Sequence, residues 1–337
     1  MKKPLREQVV VITGATSGIG RATARAAAER GAKVVVSGRN TEALEAAVRE
    51  IEEAGSEGLG VVAEATSAVD HESLFARATE RFGRVDTVVC SVMVTVLAEI
   101  ESLDADELRR VMEVNFMGRY HAFRASLPHL KETRGTFIDV NSGLAYRGIP
   151  LQAAYCASKA AARVFFESAR VEQERHGTGV DVCLVLPGGI NTPQFDRGRQ
   201  KLGEQPQPVP PIYQPEVVAK AILYCAERPQ RELPVTWAAQ KLVWGQKLAP
   251  RFGDLFLRRT GWESQTTGEP KPVASVDNLY ETILRDPGAH GRFDDRAKAS
   301  SAWTDARIRL GKTGSVVALA APALAAAIGY HAVTKRR

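Results

Sequence analysis

A buried strand that runs directly into a glycine-rich turn and a helix is the feature of this sequence that most restricts its fold. Residues 8–12 read QVVVI, a continuous apolar run typical of a strand covered on both faces in a parallel sheet. The chain continues as TGATSGIG over 13–20, and a helical pattern follows over 21–30. Strand, glycine-rich turn and helix in this order are the context that a dinucleotide-binding loop requires. The sequence therefore predicts an α/β fold with a phosphate site at its first turn.

Each glycine of this turn has a separate role in such a loop. Gly14 permits the tight turn, Gly18 lets a pyrophosphate approach the backbone, and Gly20 lets the helix pack closely. The phosphates then lie at a helix N-terminus, where unpaired N–H groups and the helix dipole favour anions. The alternative is a glycine-rich turn that binds no ligand, which fits the surrounding strand and helix pattern less well.

The end of the second predicted strand, 33–37, bears on the choice between NAD and NADP. NAD-binding proteins usually place an Asp or Glu there to bind the ribose hydroxyls. This chain has neither, and Arg39 follows the strand instead. A guanidinium suits a 2′-phosphate by its charge and its fork geometry, so Arg39 favours NADP. The alternative is an ordinary exposed loop arginine.

The remaining segments continue the alternation of strands and helices. Asp104, with Glu107 three residues later, looks like a capping pair that opens a long helix reaching about residue 130. Asn115 falls inside that helix, where asparagine is a poor helix former and is either neutral or functional. The other predicted elements are helices at 41–54 and 70–82 and strands at 59–63, 85–90, 135–141 and 180–186. Six strand–helix repeats without hairpins indicate a doubly wound parallel sheet.

Tyr155 and Lys159 lie four residues apart in an alanine-rich segment, so a helix would place them on one face. A phenol titrates near pH ~10, and an adjacent ammonium lowers that pKa, which makes the tyrosine a usable acid or base. Ser142 follows the apolar run 135–140, so its hydroxyl at a strand end is free to bind a carbonyl oxygen. Taken alone, the Tyr–Lys pair is also compatible with chance.

Composition and charge narrow the class of protein. The chain has 337 residues, of which 44% are hydrophobic and 25% charged, as expected of a soluble protein with a sizeable core. Its net charge of +6 lies in the second half, where residues 190–337 hold 22 basic and 14 acidic side chains. No basic cluster is interleaved with aromatic residues, so nucleic acid is not an expected partner. The four scattered cysteines indicate buried thiols and no metal site, and the N-terminus lacks a signal peptide, so a cytoplasmic protein is expected.

Five of these features occur in one order and at separations that match a known family: TGxxxGIG, Asn115, Ser142, YxxxK and a PG…T segment. Over about residues 6–240 the chain therefore resembles the short-chain dehydrogenase/reductase family. The resemblance implies a Rossmann-type doubly wound parallel sheet of about seven strands. It implies Tyr155 as the acid/base, Lys159 as the group that lowers its pKa and contacts the nicotinamide ribose, and Ser142 as the group that orients the carbonyl. Asn115 would hold a water in a proton relay with Lys159.

The same resemblance assigns the cofactor contacts. Pro187, Gly188 and Thr192 would contact the nicotinamide end, and Glu64 stands where many members have an Asp near the adenine. Together with the loop and the catalytic pair, the predicted cofactor residues are Gly14, Thr16, Ser17, Gly18, Ile19, Gly20, Arg39, Glu64, Tyr155, Lys159, Pro187, Gly188 and Thr192.

One departure from the family pattern follows the fourth strand. The usual Asn-Asn-Ala-Gly is replaced by CSVM at 90–93, so Met93 stands where a glycine normally lets the backbone approach the cofactor. This change puts the affinity or pose of the cofactor in question. We expect an NADP-dependent oxidoreductase that interconverts a carbonyl and an alcohol on a hydrophobic small molecule, and a homo-oligomer. The competing hypothesis is a dinucleotide-binding sensor or scaffold without turnover.

The C-terminal third is predicted to extend the catalytic domain of residues 1–240. Segment 193–214 is polar and proline-rich, either a substrate lid or a plain surface loop. A helix is predicted from Pro215, a last strand at 233–236, and apolar residues at helical spacing over 237–259. In the predicted extension, 241–312, residues 261–300 are rich in Gly, Pro, Ser and Asp, and are expected to wrap the surface or to be partly disordered.

The apolar tail, 313–337, is a candidate membrane anchor. Residues 313–334 contain no Asp, Glu, Lys or Arg, and basic residues flank both ends. This length suffices to cross a bilayer core as a helix. The span is mostly alanine and includes Pro322, so insertion would be marginal. A surface helix or a helix packed on the enzyme explains the same composition.

Overall fold

The protein is organised around a seven-stranded parallel sheet, seen in a computed structural model that describes residues 1–270 and 276–311. The strands are β1 Val9–Thr13, β2 Lys33–Gly38, β3 Gly58–Val62, β4 Thr87–Cys90, β5 Val96–Leu97, β6 Thr136–Val140, β7 Asp181–Leu186, β8 Arg199–Gln200, β9 Glu204–Pro206, β10 Glu232–Pro234 and β11 Thr266–Pro270. The main sheet has the order β10-β7-β6-β4-β1-β2-β3. The short strands β5 and β8 pair in parallel, and β9 and β11 pair antiparallel.

Helices cover both faces of this sheet. They are α1 Gly18–Ala28, α2 Thr41–Glu53, α3 Ala68–Phe82, α4 Ala105–Met112, α5 Gly118–Thr133, α6 Ala153–Arg175, α7 Gln194–Arg197, α8 Pro215–Glu227, α9 Trp237–Leu248 and α10 Pro250–Thr260, followed by a helix at 302–311. Val10 and Ile12 of β1 pack under α1, α2 and α8. Val9 and Val11 pack under α3, α5 and α6. Successive residues of a strand face opposite sides of the sheet, and both sides are covered here, so every residue of the run is apolar. The predicted doubly wound fold is confirmed.

The strand order reverses beside β1. β1 pairs with β2 on one side and with β4 on the other, and the chain reaches β3 before it returns to β4. In open α/β sheets, ligands bind in the crevice outside the carboxyl ends of the strands at such a switch point. The crevice here opens beyond Thr13 and Cys90, which are partners in the register of β1 and β4.

Two predicted helices differ in the structure. The helix expected from Asp104 to about residue 130 does open with the Asp104–Glu107 capping box, but a π-helical turn at Glu113–Met117 separates α4 from α5. π-turns of this kind are frequent at functional sites. The helix expected over 237–259 is divided into α9 and α10 because Pro250 has no N–H and disfavours a helical conformation in Ala249.

The described part of the C-terminal extension packs on the sheet domain. After α10 the chain adds β11 to β9 and then crosses the carboxyl end of the sheet, with Arg199 paired to Asp277 at 2.9 Å. The described part of 261–300 therefore wraps the surface, one of the two expected outcomes. Within residues 1–270 and 276–311, no helix is long and apolar enough to span a membrane. The predicted anchor, 313–334, lies outside the described residues, and the division at 240 and 312 remains a prediction.

Candidate active site

The glycine-rich loop adopts a shape that its glycines require. Gly14 has φ of +72°, and a Cβ there would lie 2.8 Å from the backbone nitrogen of Val92. A Cβ on Gly20 would collide with the carbonyl oxygen of Gly14, so this glycine keeps α1 close to the loop. Side chains at either position would fill the space between β1, β4 and α1. The loop is thus an open cradle at the N-terminus of α1, where the first N–H groups have no intrahelical partner and attract anions.

One large cavity joins this loop to the predicted catalytic residues. Its volume is about 950 Å³. The glycine loop and Tyr155 line this same cavity, as the two ends of a bound nicotinamide dinucleotide would require. The predicted site residues that line it are Gly14, Thr16, Ser17, Gly18, Ile19, Arg39, Glu64, Ser142, Tyr155, Lys159, Pro187, Gly188 and Thr192. Gly20 and Asn115 lie behind the wall and act through packing and hydrogen bonds.

Ser142, Tyr155 and Lys159 meet where β6 ends and α6 begins. Ser142 lies two residues after Val140, where β6 ends, and its Oγ accepts a hydrogen bond of 3.0 Å from the Leu144 N–H. Tyr155 and Lys159 lie one turn apart on α6, and the Lys159 Nζ is 5.5 Å from the centre of the Tyr155 ring. The same Nζ donates to the Val140 carbonyl at 2.8 Å. The structure therefore brings the three predicted residues together at one end of the cavity.

The pKa of Tyr155 differs from the sequence prediction in direction. Burial raises it from its ordinary value to about 12, while a hydrogen bond with Ser142 and the positive charge of Arg119 act to lower it. Burial and the same Arg119 charge hold the pKa of Lys159 well below its usual range. Burial therefore outweighs the groups that lower this pKa, whereas the sequence predicted a net lowering by Lys159. At neutral pH the phenol is protonated and available as a proton donor.

The comparisons with known proteins agree with this geometry. Residues 8–203 match the short chain dehydrogenase family. The chain belongs to this family. It is 34% identical to the uncharacterized oxidoreductase YxnA of Bacillus subtilis over 94% of this chain and 89% of that one. It is 32% identical to 11-beta-hydroxysteroid dehydrogenase A of Sesamum indicum over 74% of each chain.

A solved structure has a similar fold. An alcohol dehydrogenase from the archaeon Thermococcus sibiricus, complexed with 5-hydroxy-NADP, superimposes with a TM-score of 0.59 and 28% identity. The match covers 67% of this chain and 94% of that one. This short-chain dehydrogenase is accordingly an oxidoreductase that acts on a CH–OH group with a nicotinamide dinucleotide. The hypothesis of a sensor or scaffold is not needed.

Asn115 braces the segment in which this dehydrogenase departs from its family. Its side-chain oxygen accepts from the Val94 N–H at 2.8 Å, and its amide nitrogen donates to the Val94 carbonyl at 2.9 Å and to Ser158 Oγ at 3.1 Å. Ser91 and Met93 line the cavity just before this brace. Asn115 thus ties the 90–94 segment to α6 although the usual asparagines are missing. Its role in a water relay with Lys159 remains a prediction.

Sequence reasoning missed a buried ion pair beneath the site. Arg119 at the start of α5 and Asp139 in β6 pair at 2.6 Å between Nε and Oδ1. The guanidinium also donates to the carbonyls of Asn115 and Val140, and Asp139 Oδ2 accepts from the Asn141 amide at 2.8 Å. The signal in the sequence was Asp139, a charged residue inside the apolar run 136–140. The sequence around Asp139 does not indicate that Arg119 is its partner.

Proposed function

We propose that this protein is an NADP-dependent oxidoreductase that interconverts a carbonyl and an alcohol on a hydrophobic small molecule. The observation that carries the proposal is that Ser142, Tyr155 and Lys159 line the same cavity as the glycine loop. A nicotinamide dinucleotide, when bound, supplies or accepts the hydride. The residues of the chain then have to hold the substrate oxygen and move one proton.

Tyr155 is the residue proposed to move that proton. Its pKa of about 12 keeps the phenol protonated at neutral pH, so it can donate to the carbonyl oxygen as the alcohol forms. Ser142 donates a hydrogen bond to the same oxygen, and this bond fixes the distance between the substrate oxygen and the phenol. Lys159 is buried beside the ring. In its charged form, Lys159 stabilises the phenolate that remains after proton transfer. In alcohol oxidation the same groups act in reverse.

The lining of the cavity supports a hydrophobic substrate. Beyond Tyr155, apolar residues of segment 143–149, the 207–211 loop, α9 and α10 form the wall, namely Leu144, Ile149, Val209, Leu242, Phe252, Phe256 and Leu257. Arg147 and Gln152 are among the polar groups there. Such pockets bind apolar molecules and use a few polar groups to orient them. Two relatives are named as hydroxysteroid dehydrogenases, which favours a substrate of similar size and polarity.

Arg39 supports NADP over NAD. It lines the cavity at the end of β2, where the adenosine ribose is expected, and remains partly exposed. Its guanidinium lies 3.5 Å from Glu64 and from the Tyr280 carbonyl and 3.2 Å from the Asn278 carbonyl. A 2′-phosphate would form shorter, charge-assisted bonds with it. The structural neighbour in complex with an NADP derivative is consistent with this assignment.

The test is turnover with a panel of substrates. Purified protein is assayed with NADPH and NADH against apolar ketones, aldehydes and, in reverse, secondary alcohols of increasing size. We expect activity with NADPH on bulky apolar carbonyls and weak activity on small polar ones. Absence of turnover with every pair, from protein that binds NADPH, would contradict the proposed reaction. Activity confined to small polar substrates would contradict the substrate class alone.

A further inference from the structure

Residues 276–294, here called the strap, contact the end of β2, the start of α1 and the segment after β7, and three of them line the cavity. They lie beyond the part of the chain that matches the family, 8–203. Their contacts fall in sequence on the adenosine end, the glycine loop and the nicotinamide end.

At the adenosine end, the strap contacts the residues that follow β2. Arg39 donates to the Asn278 carbonyl at 3.2 Å, and Asn40 donates to the carbonyls of Ile283 and Arg285 at 2.8 and 3.3 Å. Leu279 is fully buried in the cluster of Val94, Val111 and their neighbours, which anchors this part of the strap. Thr282 lies beside Ile283 in the cavity wall. This part of the strap therefore forms the cavity wall beside Arg39.

In its middle, the strap is attached to the glycine loop and α1. Gly18, the first residue of α1, donates its backbone N–H to the Gly288 carbonyl at 3.2 Å. Arg21, which is 2% exposed, pairs with Asp286 at 3.4 Å and, from its other side, with Glu50 at 2.8 Å. Asp286 also accepts from the Gly288 N–H at 3.1 Å, which shapes the turn over the loop.

At the nicotinamide end, the strap is held by Asn191, the neighbour of Thr192. The Asn191 side-chain oxygen accepts from the Phe293 N–H at 3.1 Å, and its amide donates to Asp294 at 2.8 Å. Phe293 is 4% exposed and packs against Phe195 and Ile212. Both ends of the strap are thus anchored by a buried apolar side chain, and its middle is held by one buried arginine.

We propose that the strap is part of the dinucleotide site: it forms the outer wall over the adenosine half of the cofactor and slows its release. This proposal rests on the proposed use of a nicotinamide dinucleotide. Asn278, Thr282 and Ile283 of the strap line the same cavity as Gly18 and Arg39, so docking of the strap is linked to binding of the cofactor. Loosening the strap should weaken cofactor binding mainly through faster dissociation.

The test compares Asp286→Ala with Glu50→Gln, since each removes one carboxylate from Arg21 and only Asp286 belongs to the strap. NADPH affinity is measured by fluorescence titration and release by stopped-flow displacement. We expect Asp286→Ala to release NADPH about tenfold faster, the effect of losing a hydrogen bond to a charged group, and Glu50→Gln to stay within about twofold. Equal release from wild type and Asp286→Ala would overturn the proposal. Equal acceleration in both variants would also overturn it, because the effect would then belong to Arg21.

A second measurement uses wild-type protein and does not depend on the variant folding. Arg285 is exposed within the strap and is a trypsin site. Saturating NADPH should slow cleavage at Arg285 several-fold relative to cleavage at exposed Arg49 on α2, as mass spectrometry of the fragments would reveal. Unchanged relative cleavage would refute the strap as cofactor wall. Wild-type protein that binds neither NADPH nor NADH would instead refute the proposed function, so the two failures are distinguishable.

Discussion

Arg119 and Asp139 form an ion pair of 2.6 Å in which the side chains are 1% and 0% exposed. The pair lies under Lys159 and Tyr155, and the Arg119 charge acts to lower the pKa of both. Taking two charges out of water is costly, and the remaining hydrogen bonds to Asn115, Val140 and Asn141 offset part of that cost.

Removing one partner of this pair should destabilise the fold strongly. Arg119→Met or Asp139→Leu leaves an uncompensated buried charge, and we expect a loss of about 3–5 kcal/mol in the free energy of unfolding. The double variant should lose less than the sum of the two. Urea denaturation followed by circular dichroism measures all three. Arg25→Met, which breaks an exposed pair with Glu29, is the control and should change stability by under about 1 kcal/mol. Additive losses would mean that the two charges do not stabilise each other.

Tyr155→Phe should abolish turnover and leave cofactor binding largely intact. The change removes the transferable proton and keeps the ring in its place on α6. Turnover with NADPH and the best carbonyl substrate is compared with NADPH affinity from fluorescence titration. Tyr146→Phe serves as the control, because the Tyr146 hydroxyl bonds to Glu232 at 2.7 Å. Activity of Tyr155→Phe near that of the wild type would show that another group transfers the proton.

Arg39→Ala should reduce the preference for NADPH over NADH. A charge-assisted contact to the 2′-phosphate is worth about 1–3 kcal/mol, so the difference between the binding free energies of NADPH and NADH should fall by that amount. NADH binding should change little. Arg49→Ala removes an exposed arginine from α2 and provides the matched control. A wild-type protein that prefers NADH would contradict the assignment of Arg39.

His71 should make the protein less stable in mild acid. It is 2% exposed, its Nε2 donates to the Ala65 carbonyl at 3.0 Å, and burial lowers its pKa below the ordinary value of about 6.5. The unfolded chain therefore takes up the proton first. The contribution of His71 is complete above pH ~6.5 and is lost as the pH falls below it, by about 1.4 kcal/mol for each unit by which the pKa is lowered.

Urea midpoints of wild type and His71→Gln at pH 8 and 5.5 measure this effect. The variant should be less sensitive to acid than the wild type, whereas His176→Gln, at the exposed end of α6, should behave like the wild type. Equal acid sensitivity in wild type and His71→Gln would assign the loss to other groups.

The sequence alone determined the features that depend on neighbouring residues. The apolar run before Gly14 predicted a strand buried on both faces, because each residue of such a strand needs an apolar side chain. Steric limits on a tight turn required glycine at 14, and the 3.6-residue helix period set Tyr155 beside Lys159. These rules act over a few residues, so the sheet, the shape of the glycine loop and the closeness of Tyr155 to Lys159 could be predicted without a structure.

Only the tertiary structure decided which distant residues share an environment. Arg119 pairs with Asp139 because α5 packs against β6, and Arg21 pairs with Asp286, which lies 265 positions later in the chain. The direction of the Tyr155 pKa was decided in the same way, since burial by the surrounding elements outweighs the charges of its neighbours. Desolvation and Coulomb energies depend on distance in space, and distance in space between remote residues is set by how the elements pack.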